Sequence, residues 1–172
     1  LVTDDNIMEN IRVTVTDGVL KVKSKTDMNN PTELKIYITV KDLNSIEISG
    51  ACEIVGKNTI VTKNMSIKTS GASEIEMSIR CSGLKIASSG ASELKLSGNT
   101  EVLEIETSGA TTIKAEGLTS NQAFVESSGA STVKLDVSES LDAKASGAST
   151  ILYRGNPKVI SNESGASNIK KM

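Results

Sequence analysis

Apolar and polar residues alternate along most of this chain, and the tripeptide Ser-Gly-Ala interrupts the alternation at regular intervals. The tripeptide occurs seven times, with successive glycines 18 to 21 residues apart. Such a period is typical of a solenoid, in which each repeat buries its apolar side by stacking on its neighbours. The seven glycines are Gly50, Gly71, Gly90, Gly109, Gly129, Gly147 and Gly165.

Each repeat contains two alternating segments that meet at the tripeptide. Before it stands a pair of apolar residues two positions apart, such as Ile46 and Ile48 in the first repeat and Met65 and Ile67 in the second. Alternation with a period of two is typical of strands with one buried face. Four residues after each glycine is an aliphatic column that we expect in the core: Ile54, Ile75, Leu94, Ile113, Val133, Ile151 and Ile169.

Two strands per repeat predict an all-β fold, a parallel β-helix flattened between two sheets. Glycine is expected at the constant corner because a sharp turn favours positive φ or close backbone contact, and glycine tolerates both. A left-handed, three-sided helix would need a regular six-residue period, which these columns do not show. The opposite corner varies and spans residues 57–64, 79–83, 97–101, 116–122, 136–140 and 154–158. Since repeat proteins commonly place recognition where repeats differ, we expect any binding site along these turns.

Residues 1–44 lack the tripeptide, and we expect them to form an irregular N-terminal cap on one continuous solenoid of residues 45–172. Asp17-Gly18 lies between two alternating segments and predicts a β-hairpin. Residues 24–32 predict a polar loop, and residues 34–40 predict a further strand. At the other end, Lys170 and Lys171 are expected to hinder edge-to-edge pairing.

The amino-acid composition argues against several classes of function. Lys and Arg number 19 against 21 Asp and Glu, a near balance that argues against nucleic acid as a partner. The chain has no histidine, which excludes imidazole-based catalysis, and only three aromatic residues, which leaves few platforms for stacking sugars. No apolar segment approaches the length of a membrane span. We therefore expect no catalytic residue and no cofactor.

Two columns of residues are candidate sites: one of outward-facing glutamates and one of small hydroxyl-bearing residues. Glu53, Glu74 and Glu93 stand three residues after successive glycines, and stacked carboxylates repel one another unless a cation or lysines intervene. The alternatives are a Ca²⁺-type oxygen site and an exposed strand face relieved by lysines such as Lys95, and we favour the second. The serines and threonines two residues after each glycine could form a hydroxyl-rich groove or supply nucleophiles. Because no activating base is evident, we favour stacked structural hydroxyls.

The two cysteines fall in different columns. Cys52 is expected to face inward beside a corner, and Cys81 is expected to be a surface thiol in a variable turn. Their placement argues against a mutual disulfide.

Several stretches together resemble a known family. They are the seven Ser-Gly-Ala corners, the segment from Asp17 to Val22, the segment from Leu43 to Ile46 and the segment from Gly155 to Val159. This combination resembles the putative autotransporter adhesin head domain family (head GIN domain) of Bacteroidetes. The resemblance implies a right-handed, two-sheet β-helix, export to the periplasm or cell surface, and a role in adhesion. It implies no catalytic residues. A chain that starts at Leu1 is expected to be a processed product.

These observations favour a non-enzymatic, exported β-solenoid that acts as an adhesin or binding module, with a surface glycan or protein as its ligand. One alternative is a polysaccharide-active, lyase-like enzyme on the same scaffold. The lack of histidine and the scattered positions of Arg12, Arg80 and Arg154 argue against it. The other alternative is a purely structural envelope protein. The sequence leaves the oligomeric state open.

Overall fold

The computed structural model describes residues 2–3, 10–24 and 34–172. The chain divides into two compact units, residues 1–41 and residues 42–172. Within the described ranges, no helix is long and apolar enough to cross a membrane. The strands are β1 (Val2–Thr3), β2 (Ile11–Thr16), β3 (Val19–Ser24), β4 (Leu34–Lys35), β5 (Ser45–Val55), β6 (Ile60–Val61), β7 (Asn64–Gly90), β8 (Glu93–Gly109), β9 (Thr112–Ser127), β10 (Thr132–Ala145), β11 (Thr150–Arg154), β12 (Lys158–Glu163) and β13 (Asn168–Lys171).

The larger unit is a parallel β-solenoid of about seven turns. Its strands pair in the order β13-β11-β10-β9-β8-β7-β5, with β12 paired to β10 and β6 paired to β7. Residues one repeat apart lie side by side: Ile75 is opposite Leu94, and Leu94 is opposite Ile113. We call each full turn of the chain a coil. The predicted all-β, parallel solenoid is confirmed.

The strands are longer than the two short strands expected in each repeat. β7 contains 27 residues and runs without interruption through both a Ser-Gly-Ala corner and a variable turn. The ladder also continues where a strand ends at a corner, since the Ala91 amide donates a hydrogen bond of 2.8 Å to the Gly71 carbonyl. Each corner is therefore part of the sheet, and the backbone groups there are satisfied by the next coil.

The interior of the solenoid is filled by columns of aliphatic residues. In the column four residues after each glycine, Ile75, Ile113 and Ile151 are fully buried. The first and last members of the column, Ile54 and Ile169, are only partly buried and pack against the edge of the core. Full burial of a Val, Leu or Ile side chain contributes about 1.5–3 kcal/mol. Stacking of neighbouring coils therefore supplies most of the stabilisation.

One set of inward columns differs in register from the expected set. Ile46 lies opposite Ile67, and Ile48 lies opposite Thr69. The first apolar pair is thus shifted by two residues relative to the second pair. The position two residues before each glycine is therefore an inward column of its own, and sequence analysis did not separate it.

The variable turns also contribute to the core. Ile79, Leu118 and Val137 lie within the predicted turns and are fully buried. In that part of the coil, Ile79 is opposite Gly98, and Gly98 is opposite Leu118. The variable edge therefore contributes buried side chains to the core, although the residue type at such a position changes from coil to coil.

In the smaller unit, β2 and β3 form the antiparallel hairpin that the sequence predicts. Asp17 and Gly18 make its two-residue loop with φ values of 50° and 75°. Two positive φ values are the signature of a type I′ turn, whose twist matches that of the flanking strands. The cap role assigned to residues 1–44 stays a prediction.

The strand expected over residues 34–40 is wrong in extent. Only Leu34–Lys35 is a strand, paired with Val2–Thr3. Residues 36–40 are not in a strand, and Ile38 and Val40 are exposed. Among the described residues, no strand pairs with residues 36–40, and alternation without a pairing partner does not make a strand. Residues 25–32 of the predicted polar loop lie outside the described residues.

The corner glycines stack in one column along the solenoid, each with φ between 72° and 98°. Side chains other than glycine rarely adopt this backbone conformation. In addition, a Cβ atom on Gly109 would lie 2.6 Å from the carbonyl oxygen of Gly90 in the preceding coil. Gly50 belongs to the first coil, and a Cβ atom there would meet nothing within 4 Å. Both glycines therefore require a positive φ, but only at Gly109 would a Cβ atom collide with the preceding coil.

We expect Gly109→Ala to destabilise the solenoid much more than Gly50→Ala. Positive φ alone should lower the free energy of unfolding by about 1–2 kcal/mol in both variants. The contact with Gly90 should at least double the loss in Gly109→Ala, because the neighbouring atom is backbone. Chemical denaturation of the purified variants measures both values.

Gly117→Ala is the matched control within the interior coils. Gly117 has no positive φ, and a Cβ atom there would be 3.4 Å from the nearest atom, an ordinary contact. We expect nearly unchanged stability for this variant. Equal losses in Gly50→Ala and Gly109→Ala would contradict the account of glycine stacking.

Candidate binding surfaces

The three glutamates singled out in the sequence lie together along the constant edge. Glu53 is opposite Glu74, and Glu74 is opposite Glu93. With the alanines that follow the corner glycines they line a shallow, open groove of about 550 Å³, which we call the corner groove. Neighbouring strands are about 4.8 Å apart, so like charges lie close together here.

A lysine side chain reduces the repulsion within this row of glutamates, but it is not the expected Lys95. Lys95 pairs with Glu76 at 3.0 Å and not with the glutamate row. Lys114, one coil further along, forms a salt bridge with Glu93. The hydrogen bond to Glu93, followed by the attraction of its charge, raises the pKa of Lys114. The row therefore has a cationic partner at the Glu93 end.

No metal site is formed by the described part of the chain, in the sense that no three His, Cys, Asp or Glu side chains are placed to hold an ion. The sequence favours an exposed strand face over a cation site at Glu53, Glu74 and Glu93, and that interpretation stays a prediction.

The hydroxyl column two residues after each glycine faces inward. Ser73, Ser92, Thr111, Ser131 and Ser149 are buried. A second buried column, two residues before each glycine, lies beside it and contains Thr69, Ser88, Thr107 and Ser127. Sequence analysis missed this second column because its first member is an isoleucine and it therefore resembles an ordinary core position.

The hydroxyls hydrogen-bond across successive coils, both within the second column and between the two columns. Thr69 and Ser88 are 2.7 Å apart, and Ser88 is 3.2 Å from Thr111. Ser131 contacts Thr107 at 3.0 Å and Ser127 at 2.8 Å, and donates to the backbone carbonyl of Ser128. These hydroxyls are committed to bonds inside the protein, although Ser73 and Ser92 also belong to the lining of the corner groove. Their role is to satisfy one another and the corner backbone.

The two thiols occupy the reverse of their expected environments. Both are free, with Cys52 exposed and Cys81 buried. Cys52 is exposed despite its inward column because it lies in the first coil, whereas Cys81 faces inward within a variable turn and lies 3.5 Å from the Thr100 hydroxyl. Burial raises the pKa of the Cys81 thiol.

A second groove lies on the flank of the solenoid, on the strand segments that follow the variable turns. Asn64 and Gly83, its central residues, are the last residues of two predicted turns. A Cβ atom on Gly83 would come within 2.9 Å of the Asn64 side-chain oxygen, so glycine leaves room for that amide. We call this space of about 450 Å³ the flank groove, and it is lined by Asn44, Asn64, Met65, Ser66, Gly83, Leu84, Lys85, Val102 and Glu104.

The charges in the flank groove are paired. Lys85 contacts Glu106 at 2.9 Å and Glu104 at 3.4 Å. The hydrogen bonds to Glu106 and then Glu104 raise the pKa of Lys85. Phe124 lies opposite Glu104 on the next coil and is 47% exposed. The flank groove thus combines amide, hydroxyl and carboxylate groups with an aromatic ring beside it.

The outermost part of the variable edge is polar apart from Val61, which is exposed and lies opposite Arg80. Arg80 and Asn99 are opposite each other, and the Arg80 Nε donates to the Asn99 side-chain oxygen at 3.3 Å. Gly98 lies beside them with φ of 113°, and a Cβ atom on it would be 2.0 Å from the Ile79 carbonyl oxygen. Recognition along the six turns stays a prediction, and this stacking glycine limits how far one of those turns can vary.

The hydroxyl network gives a stability prediction. Ser131→Ala removes a buried hydroxyl that bonds the Thr107 and Ser127 hydroxyls and the Ser128 carbonyl. Thr107 and Ser127 still bond each other. From the three lost hydrogen bonds we expect a loss of about 1–3 kcal/mol in the free energy of unfolding. Ser97→Ala, at an exposed position in the neighbouring part of the solenoid, should change it by less than about 0.5 kcal/mol. Equal effects in the two variants would contradict a structural role for the buried columns.

The thiols give a reactivity prediction. In the native protein at mildly alkaline pH, a disulfide reagent should label Cys52 rapidly and Cys81 slowly, because burial limits both access to Cys81 and its thiolate fraction. Both should react at once after unfolding. Cys52→Ser should abolish the rapid phase and Cys81→Ser should leave it intact, and the opposite assignment would refute the placement of the thiols.

Comparison with known proteins places the chain in a family. A family model described as "Putative auto-transporter adhesin, head GIN domain" matches residues 1–157. Among curated proteins, none matches. The fold is shared with a crystal structure named a putative adhesin from Bacteroides fragilis, which is 30% identical with a TM-score of 0.88 and aligns over 98% of this chain and 79% of that one.

Two further structures, both from Parabacteroides distasonis, show the same fold. One, named a putative adhesin, is 16% identical with a TM-score of 0.78, covering 99% of this chain and 82% of that one. The other, named a putative lipid binding protein, is 21% identical with a TM-score of 0.63 and the same coverage. The extent of the family match, together with the Ser-Gly-Ala solenoid, shows that this chain belongs to the auto-transporter adhesin head GIN domain family.

Proposed function

We propose that this chain is an exported, non-enzymatic binding module that acts in adhesion at the cell surface or in the periplasm. Family membership supports the adhesive role and the location. The observation that carries the proposal is the flank groove, because it joins polar groups of several kinds beside the edge where the repeats differ.

The flank groove is better suited to binding than the corner groove. Along the constant edge, the glycine column and its alanine amides are committed to stacking, and the exposed groups repeat with little variation. In the flank groove, successive coils present different side chains in one column, such as Lys85 on one coil and Glu104 on the next. A surface that differs from coil to coil can distinguish the parts of an extended ligand.

We infer that the ligand is a glycan. Asn64 offers an amide donor and acceptor, Ser66 offers a hydroxyl, and Glu104 offers acceptors for sugar hydroxyls. Lys85 is already paired with two carboxylates, so the groove has no unpaired cation to attract phosphate or sulfate. Phe124 supplies one apolar face against which a sugar ring can lie.

A non-enzymatic role is supported by the side chains available. The sequence contains no histidine, and the serine and threonine columns near the corners are buried and hydrogen-bonded. A hydroxyl nucleophile needs an adjacent base and access to substrate. The two alternatives, a polysaccharide-active enzyme and a purely structural envelope protein, are outcomes of the following test.

The purified protein is applied to an array of bacterial and host glycans, and the variants are then compared on any glycan that it binds. We expect Phe124→Ala and the double variant Asn64→Ala/Glu104→Ala to weaken binding about tenfold or more, since each removes contacts worth roughly 1.4 kcal/mol or above. All three positions are exposed, so the fold should persist.

Glu74→Ala, in the corner groove, is the matched control and should leave binding within about twofold, well under 1 kcal/mol. Binding to a purified surface protein and to no glycan would show that the ligand is a protein and would contradict the glycan proposal. Release of unsaturated sugars from a polysaccharide would favour the enzyme, and a lack of binding to any glycan or protein would favour the structural alternative.

A further inference from the structure

Phe124 lies on the outer face of the sheet that precedes the Ser-Gly-Ala corners. The residues on either side of it along β9, Ala123 and Val125, are buried, so the ring points outward. It is the only phenylalanine of the chain, and about half of it is exposed. Because β9 pairs with β8 on one side and with β10 on the other, this exposure belongs to an interior coil of the solenoid.

Four carboxylates surround the ring on the same outer face. In the column of Phe124, Glu104 lies on the preceding coil and Asp142 on the following one. The next outward column, two residues further along the strands, contains Glu106 and Glu126. Neighbouring strands are about 4.8 Å apart, and residues two positions apart on a strand are about 6.5–7 Å apart. A ligand that lies on the ring can therefore reach all four carboxylates.

Lysine neutralises only part of this negative charge. Lys85 is paired with Glu104 and Glu106. Lys144 lies opposite Glu126, but in the described part of the chain neither Glu126 nor Asp142 forms an ion pair. The surface around the ring thus carries four carboxylates and two ammonium groups and stays negative. We call it the Phe124 face, and it consists of Glu104, Glu106, Phe124, Glu126 and Asp142.

The aromatic ring distinguishes the Phe124 face from the acidic row in the corner groove. The residues that line the corner groove include no aromatic side chain. In addition, its Glu93 is paired with Lys114. Only the Phe124 face therefore combines an exposed ring with unpaired carboxylates beside it.

We propose that the Phe124 face selects a glycan that carries free ammonium groups, as in an amino sugar without its acetyl group. This inference rests on the proposed glycan-binding function and adds the charge of the ligand. A cation near the face of an aromatic ring is attracted by the negative charge of its π-system. Ammonium groups also donate strong, charge-assisted hydrogen bonds to carboxylates. A sulfated or phosphorylated glycan would be repelled by the same carboxylates.

An extended peptide fits this face less well than a sugar. Peptides commonly bind a sheet by adding a strand to an open edge, where backbone groups are free. β8, β9 and β10 are each paired on both sides, so their outer face offers a ligand side chains alone. Sugar hydroxyls and an ammonium group can be bound by carboxylates without any backbone contact.

The test compares short chitosan oligomers with chitin oligomers of the same length, which differ only in the acetylation of the amino group. Titration calorimetry at mildly acidic pH, at which exposed carboxylates are still ionised, measures both dissociation constants. We expect the unaltered protein to bind the chitosan oligomer about tenfold or more tightly than the chitin oligomer. Glu126→Gln/Asp142→Asn keeps the size of both side chains and should reduce this preference to about twofold.

Glu53→Gln/Glu74→Gln is the matched control, because it removes the same two charges from the corner groove. It should keep the full preference for the chitosan oligomer. Equal losses in the two double variants would show a general attraction between opposite charges and would overturn the inference. Circular dichroism shows whether each variant folds. If Glu126→Gln/Asp142→Asn does not, the single variant Glu126→Gln, at an exposed position, should still lower the preference.

The outcomes separate this inference from the proposed function. Equal affinity for the two oligomers, or tighter binding of the chitin oligomer, would overturn the inference and leave glycan binding in place. If neither oligomer binds and the glycans bound on the array carry no ammonium group, the inference is wrong and the proposed function stands. Binding to no glycan at all would contradict both.

Discussion

The structure depends on the contact between each corner glycine and the glycine of the preceding coil. The glycine must take a positive φ and must lack a Cβ atom, since that atom would collide with the neighbouring carbonyl oxygen. The alanine after it then donates its amide to that same carbonyl at 2.8 Å. This arrangement keeps the ladder intact through the bend and holds successive coils in register. The aliphatic columns can stack only because this register is kept.

Much of the fold could be predicted from the spacing of the glycines, because a parallel solenoid places equivalent residues in columns. The column from Ile54 to Ile169 followed directly from that spacing. The spacing could not show whether the first and last residues of each column are buried. Cys52 shares a buried column and is exposed because it lies in the first coil, while Cys81 lies in a turn and is buried. Burial depends on neighbouring coils, which no single repeat contains.

The candidate site was less accessible to sequence reasoning than the fold. The flank groove includes the last residues of two of the six variable turns, and it arises from the absence of a side chain at Gly83 next to Asn64 and from the ion pairs of Lys85. These are contacts between coils, set by register and rotamer. As a result, the two sides of the solenoid differ. The residues of the constant edge are restricted by stacking, whereas the flank beyond the other edge can vary in its outward side chains.

Hydrogen exchange at the corners tests the central claim most directly. The amides of Ala110, Ala130 and Ala148 donate to the carbonyls of Gly90, Gly109 and Gly129, although the alanine side chains are exposed. If the corners are continuous parts of the ladder, these amides should exchange as slowly as those of core residues such as Ile113, through opening of the whole solenoid. Exchange at the rate of an exposed loop would show that the corners are ordinary turns and would contradict the account.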